Sequence, residues 1–152
     1  MKKLLTLALV ACAFIATPTL TAQEFKVDKS PMDQAAFPSD YKVANKQIKV
    51  TYSRPQLKGR ELATLAPAGK VWRLGANEAV EVTLYKARNL GTTPVKAGTY
   101  TMYAIPGASE WTVILSKDLD VWGSYFYNEK NDAARISVPV EEGKDSVEYF
   151  GM

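Results

Sequence analysis

The sequence predicts an all-β fold, either an antiparallel β-sandwich or a barrel-like meander, from three observations. Short segments in which apolar and polar residues alternate recur along the chain, and turn residues separate them at close spacing. No window of the sequence keeps a sustained helical period. One long loop, residues 54–77, interrupts the series of strands and is expected to pack on the body of the fold.

Residues 1–22 have the pattern of a secretory signal peptide. Lys2 and Lys3 form a positively charged start, an apolar stretch follows from Leu4 to Ala16, and small residues end the segment at Ala22. The apolar stretch is too short to cross a membrane. We therefore predict cleavage after Ala22 and an exported protein, periplasmic or secreted, without a transmembrane segment.

A second interpretation of the same segment is a lipoprotein signal. Leu9-Val10-Ala11-Cys12 fits the short motif before a cysteine that is lipidated, which would leave the protein anchored through Cys12. The apolar run that continues from Ala13 to Ile15 favours simple cleavage, because a lipoprotein usually carries a polar tether at that place.

The remaining chain divides into an arm and one β domain. Residues 23–46 are polar and contain turn signals such as Ser30-Pro31, so we predict an irregular N-terminal arm. Residues 47–152 are long enough for a single domain. Their first strand is marked by Ile48, Val50 and Tyr52, which alternate with polar residues. The same pattern predicts further strands at 80–85, 99–105, 110–116, 134–140 and 146–150.

Turn residues separate these strands. Pro106-Gly107-Ala108-Ser109 predicts a hairpin between the third and fourth predicted strands, and Glu141 to Asp145 predicts a polar turn before the last one. Within the long loop, residues 57–65 are compatible with a short helical turn.

Composition excludes several classes of function. Loss of the signal removes two lysines, so the net charge falls from +3 to +1, which gives no basic field for nucleic acid. The chain has no histidine, so Ser-His-Asp and Cys-His nucleophile systems and the usual zinc sites are excluded. The single cysteine permits no internal disulfide. We expect no metal and no cofactor.

The loop 54–77 carries the unbalanced charge. It has five basic residues and one acid, a net charge of +4, against −3 for the rest of the mature chain. Arginine forks match the paired oxygens of carboxylate, sulfate or phosphate groups, and a tryptophan offers a flat apolar surface to a sugar. We therefore predict a site for a small anionic or glycan-like ligand, formed by Arg54, Arg60, Trp72, Arg73, Asn77 and Glu78.

The alternative for these residues is structural. Arginines in a packed loop commonly bond backbone carbonyls and nearby acids, and a tryptophan is more often part of a core than of a platform. No catalytic residue is assigned. A carboxylate-dependent hydrolase centred on Glu78, or a structural envelope protein, are the other functions left open. A second aromatic loop, Trp122 to Tyr127, either joins the binding rim or lies over the core.

Four separated motifs resemble an exported bacterial family, the domain-of-unknown-function family numbered 2911. The resemblance covers about residues 30–150 and implies an exported, mainly β domain with no known activity. Its segments are Tyr52-Ser53-Arg54-Pro55, Lys58-Gly59-Arg60-Glu61-Leu62, Val71-Trp72-Arg73-Leu74-Gly75-Ala76-Asn77-Glu78 and Ala97-Gly98-Thr99-Tyr100.

The resemblance implies that the family's domain continues beyond Met152 with at least one further strand. Either the domain closes early or a final strand is missing, and we expect residues 146–150 to pair weakly or on one side only. Such an open edge would be able to pair with another chain.

Overall fold

The computed structural model of the protein describes residues 26–152. The signal peptide predicted over residues 1–22, its lipoprotein alternative at Cys12 and the start of the arm lie outside this range. In the part of the chain that is described, no helix is both long and apolar enough to cross a membrane.

The fold is built on one six-stranded antiparallel sheet, which confirms the all-β prediction. The sheet is not closed, because its two edge strands, β1 (Met32–Phe37) and β8 (Asp132–Pro139), do not pair with each other. A short hairpin, β4 with β5, forms a separate two-stranded sheet that contacts β8. In the six-stranded sheet the order is β1 (Met32–Phe37), β2 (Ile48–Ser53), β3 (Val80–Leu84), β6 (Gly98–Ile105), β7 (Glu110–Ser116) and β8 (Asp132–Pro139), and the hairpin is β4 (Arg88–Leu90) and β5 (Thr93–Val95).

The two faces of this sheet follow from the period-two alternation of the strands. One face carries Val80, Val82, Leu84 and their neighbours, and it holds the main apolar core. The opposite face is more polar and holds a smaller cluster around Ala79, Tyr103 and Ile114. The main core consists of Tyr52, Ala66, Trp72, Leu74, Val80, Val82, Leu84, Val95, Ala104, Leu115 and Ala134.

The prediction that residues 23–46 are irregular is wrong for Met32–Phe37, which forms β1. This strand pairs with β2 from Met32 opposite Ser53 to Phe37 opposite Ile48. The segment has weak alternation, and of its side chains only Ala35 packs against the main core. Its backbone bonds to β2 place it in the sheet, which residue composition does not reveal.

Residues 146–150 are not a regular strand, so that prediction is also wrong. They run beside residues 55–57 and form one isolated bridge, Gln56 with Tyr149. Leu57 N donates to Glu148 O at 2.9 Å, and Phe150 N donates to Pro55 O at 2.9 Å. The expectation that residues 146–150 pair weakly or on one side only is confirmed. Their backbone pairs with residues 55–57 of the long loop and with no strand of the described sheet.

The predicted hairpin turn, Pro106 to Ser109, joins β6 to β7, and the predicted helical turn is helix α1 (Leu62–Leu65).

A single glycine is critical in the hairpin. A Cβ atom at Gly107 would lie 2.3 Å from the carbonyl oxygen of Glu110, which is a backbone atom and moves only if the turn changes.

We therefore expect Gly107→Ala to lower the free energy of unfolding by roughly 1–3 kcal/mol, since the turn has to rearrange. Urea unfolding followed by circular dichroism measures the change. Gly143→Ala is the matched control, because a Cβ there meets its nearest atom at 3.5 Å, an ordinary contact. Equal unfolding midpoints for the two variants would contradict the clash.

Candidate ligand-binding site

The long loop and the C-terminal segment enclose a groove of about 720 Å³, which we call the C-terminal groove. One wall is the loop from Arg54 through α1, and the other is the segment 146–151. Its lining is mainly apolar, and its charged members are Arg54, Glu141 and Glu148. The apolar and aromatic side chains that line it are Pro55, Leu57, Leu62, Leu65, Trp72, Val147, Tyr149 and Phe150.

Arg54 lies at the groove and also joins three parts of the chain. Its Nε donates to the carbonyl oxygen of Phe150 at 3.1 Å, and its Nη1 contacts the Asp33 carboxylate of β1 at 3.4 Å. The guanidinium carbon lies 5.8 Å from the centre of the Tyr149 ring. The side chain remains 41% exposed, and its Nη2 has no hydrogen-bond partner among residues 26–152.

Arg60 closes the turn that begins the loop. Lys58 and Gly59 both have left-handed backbone, with φ of 51° and 71°, which reverses the chain. The guanidinium then reaches back, and Nε donates to Leu57 O at 2.8 Å while Nη2 donates to Gln56 O at 2.7 Å. Its contacts therefore match the structural alternative, although the side chain is exposed.

Trp72 lies in the core and forms the floor of the groove. Its backbone exchanges two hydrogen bonds with Ala104, of 2.7 and 3.0 Å, so the loop is attached to the centre of the sheet. Its ring meets Trp111 and Phe150 edge to face, with centroids 6.0 and 5.5 Å apart. Only 8% of the residue is exposed, so no flat ring surface is presented to solvent.

Arg73, the next residue, is half-buried and does not line the C-terminal groove. Its carbonyl oxygen accepts the Val80 amide at 3.3 Å, while its Nε is buried with no hydrogen-bond partner among the described residues. Leaving a buried donor without a partner is unfavourable, so Arg73 is the one predicted residue whose position its local contacts do not account for.

Asn77 and Glu78 belong to a different place, on the polar face of the sheet. Asn77 is exposed with φ of 58°, and its Nδ2 donates to Asp28 Oδ1 at 3.3 Å. Glu78 lines a hollow of about 170 Å³ together with Glu81 and Asp120. The other residues of this hollow are Met32, Thr51, Tyr52, Ser53, Ala79 and Val121.

The six predicted residues thus do not share one concavity. Arg54 and Trp72 line the C-terminal groove, and Glu78 lines the smaller hollow. Sequence reasoning missed the second wall of the groove, residues 146–151, because alternation there was interpreted as a strand. The aromatic ring at Tyr149 and the acid at Glu148 were the available signal, since both lie in a segment that follows a polar turn.

Perturbed pKa values occur on the polar face, away from the groove. Burial, and then the negative charge of Asp118, raises the pKa of Tyr103 to about 12. Burial and the hydrogen bond to Asp132 also raise the pKa of Tyr127, whose hydroxyl donates to Asp132 Oδ2 at 2.9 Å. Arg135 bonds both Asp132 and the Tyr127 hydroxyl, so this cluster is internally paired.

The motif resemblance is confirmed by a family model. The model described as protein of unknown function (DUF2911) matches residues 30–152, which include both the C-terminal groove and the smaller hollow. No curated protein and no solved structure matches the chain.

The Tyr103 pKa predicts how stability depends on alkaline pH. The folded value, about 12, is above the ordinary value of 10, so folding favours the protonated phenol. This contribution is fully present below pH 10 and is lost as the pH rises through 12. Urea unfolding between pH 10 and 12 should show a decline in the free energy of unfolding, and Tyr103→Phe should reduce this decline. The variant should also lack the part of the phenolate absorbance that appears at the highest pH. If the variant keeps that part of the absorbance unchanged, the assignment is contradicted.

Proposed function

We propose that this protein, which belongs to the DUF2911 family of proteins of unknown function, is an exported domain that binds a small anionic ligand in the C-terminal groove. The observation that carries the proposal is the groove itself. Its volume of about 720 Å³ falls in the range of ligand sites, roughly 300–1,000 Å³, and its lining is mainly apolar with few polar groups.

The lining predicts the shape of the ligand. Leu62 of α1 is 49% exposed and Tyr149 is 48% exposed, so both offer apolar surface that a ligand would remove from water. Trp72 closes the floor. A ligand with an aryl or alkyl body fits this lining better than a wholly polar one.

Arg54 supplies the recognition of charge. It is the one basic residue that lines the groove, and two of its nitrogens are already held by Phe150 and Asp33. These bonds fix the guanidinium in place, so Nη2 is pre-positioned to donate to an anionic oxygen. Glu148 competes little for Arg54, because its Oε1 accepts the Lys58 amide at 2.8 Å.

The same geometry favours an anion over a glycan at this place. Trp72, the ring predicted to bind a sugar, is covered by Trp111 and Phe150. The half-exposed ring of Tyr149 has the Arg54 guanidinium 5.8 Å from its centre, which favours a ligand with a charged group. Binding without catalysis is also part of the proposal: the groove combines one fixed cation and two carboxylates, Glu141 and Glu148, with mainly apolar surface, and Glu148 is held by a backbone amide. Export is supported by the signal pattern of residues 1–22.

Anilinonaphthalene sulfonate and dodecanoate test the proposal, since each joins one anionic group to an apolar body. The mature protein should bind the sulfonate with enhanced fluorescence, and dodecanoate should displace it. Arg54→Gln should raise the dissociation constant about tenfold, the effect of losing one charge-assisted contact. Leu62→Glu should weaken binding independently, because it places a carboxylate on the exposed wall of the groove.

Arg88→Gln is the matched control, because Arg88 is an exposed cation of β4 that bonds Gln47 and does not line the groove. It should bind both probes as the unchanged protein does. Thermal unfolding checks that each variant is folded. If Arg54→Gln and Leu62→Glu both bind like the control, or if dodecyltrimethylammonium binds as tightly as dodecanoate, the groove is not an anion site.

A further inference from the structure

Three aromatic side chains of the loop after β7 remain exposed. Trp122 is 62% exposed, Tyr125 is 68% exposed and Phe126 is 80% exposed. Tyr127, in contrast, packs on Tyr103 with ring centroids 5.2 Å apart. The loop is therefore held to the body at Tyr127 while its first aromatic residues face solvent, and such grouped apolar exposure commonly marks a binding site.

Trp122 and Tyr125 form a flat surface, which we call the aromatic platform. Their rings stack with centroids 5.1 Å apart and an angle of 29° between the planes. Gly123 permits the stack: a Cβ there would lie 2.6 Å from the Tyr125 ring, and the residue has φ of 69°. The platform is thus a specific local structure and not two independent side chains.

Backbone pairing puts a carboxylate beside the platform. Residues 121–123 run antiparallel to residues 77–79: Ala79 N donates to Val121 O at 3.0 Å, and Gly123 N donates to Asn77 O at 3.1 Å. These two bonds lie on either side of Glu78 and Trp122. The two residues therefore face each other as a non-hydrogen-bonded pair. In such a pair the two side chains lie on the same side at the closer of the two antiparallel spacings.

The Glu78 carboxylate is available for a ligand. It has no hydrogen-bond partner within residues 26–152, whereas Glu81 of the same hollow already accepts the Asp120 amide at 3.2 Å. The hollow of about 170 Å³ therefore offers a free acceptor at Glu78 directly beside the aromatic platform.

We propose that the aromatic platform and Glu78 form a binding site for a neutral oligosaccharide, distinct from the C-terminal groove. The C–H face of a sugar ring packs on Trp122, and the Glu78 carboxylate accepts hydrogen bonds from sugar hydroxyls.

The charges around the platform decide between this ligand and others. Glu78, Glu81 and Asp120 line the adjacent hollow with no basic residue, so an anionic polymer or an anionic membrane surface would be repelled. A quaternary ammonium group would suit the acids, but it is typically enclosed by a cage of rings. Trp122 and Tyr125 instead stack on each other with 29° between their planes, and the exposed ring of Trp122 offers a single flat surface of the kind on which a sugar ring packs.

The test uses the mature protein and trimers of β-linked glucose, N-acetylglucosamine, xylose and mannose at millimolar concentrations. Calorimetry and tryptophan fluorescence should detect binding of at least one trimer. Trp122→Ala should raise its dissociation constant about tenfold or more, while Trp122→Phe keeps an aromatic face and should recover part of the affinity. Glu78→Gln should weaken the binding of the same trimer, because an amide is a poorer hydrogen-bond acceptor than a carboxylate.

Phe126→Ala is the matched control, since Phe126 is an equally accessible aromatic residue outside the stacked pair. It should leave trimer binding unchanged, as should Arg88→Gln, which changes an exposed cation that lines neither the hollow nor the groove. Three results would overturn the proposal: no trimer binds, trimer binding survives Trp122→Ala, or Trp122 is needed only for tetramethylammonium or phosphatidylcholine vesicles.

Discussion

The open sheet has one apolar face, and another layer of the chain has to cover it. Trp72 attaches this covering layer to the sheet. Its backbone pairs with Ala104 in the middle of the sheet, and its ring packs against Trp111 and Phe150. A single sheet cannot bury one face without another layer. Here that layer is not a second large sheet but the long loop, the C-terminal segment and the short β4–β5 hairpin.

The candidate anion site is a consequence of this covering layer. The loop and the C-terminal segment meet through two backbone hydrogen bonds, which form the bridge between Gln56 and Tyr149, and a groove lies alongside. Arg54 joins the loop to Phe150 and to Asp33, and the same bonds fix the guanidinium that the proposed anion site uses. The structural and ligand-binding interpretations of this arginine are therefore compatible.

The polar face of the sheet is covered in a different way. Residues 117–131 lie over it and are attached by hydrogen bonds, such as that from the Thr101 hydroxyl to Asp118 O at 2.6 Å and the paired contacts of Asp132, Tyr127 and Arg135. Because this cover is fixed at both ends, its central part can present Trp122 and Tyr125 to solvent without losing the fold. The interpretation that this loop lies over the core is confirmed for Tyr127, which packs on Tyr103, while a binding rim at Trp122 stays a prediction.

The sequence by itself determined the class of the fold, most of the strands and the family. Ile48, Val50 and Tyr52, and likewise Val80, Val82 and Leu84, alternate because one side of each strand faces the core, and this local period is readable without a structure. The tertiary structure alone decided that Met32–Phe37 is an edge strand and that residues 146–150 pair with the loop, since both depend on backbone partners far away in the sequence. It also decided where the charged loop residues point. Arg54, Arg60 and Arg73 share the same compositional signal, but only Arg54 lines the groove. The left-handed residues Lys58 and Gly59 reverse the chain between Arg54 and Arg60, and side-chain charge does not encode that direction.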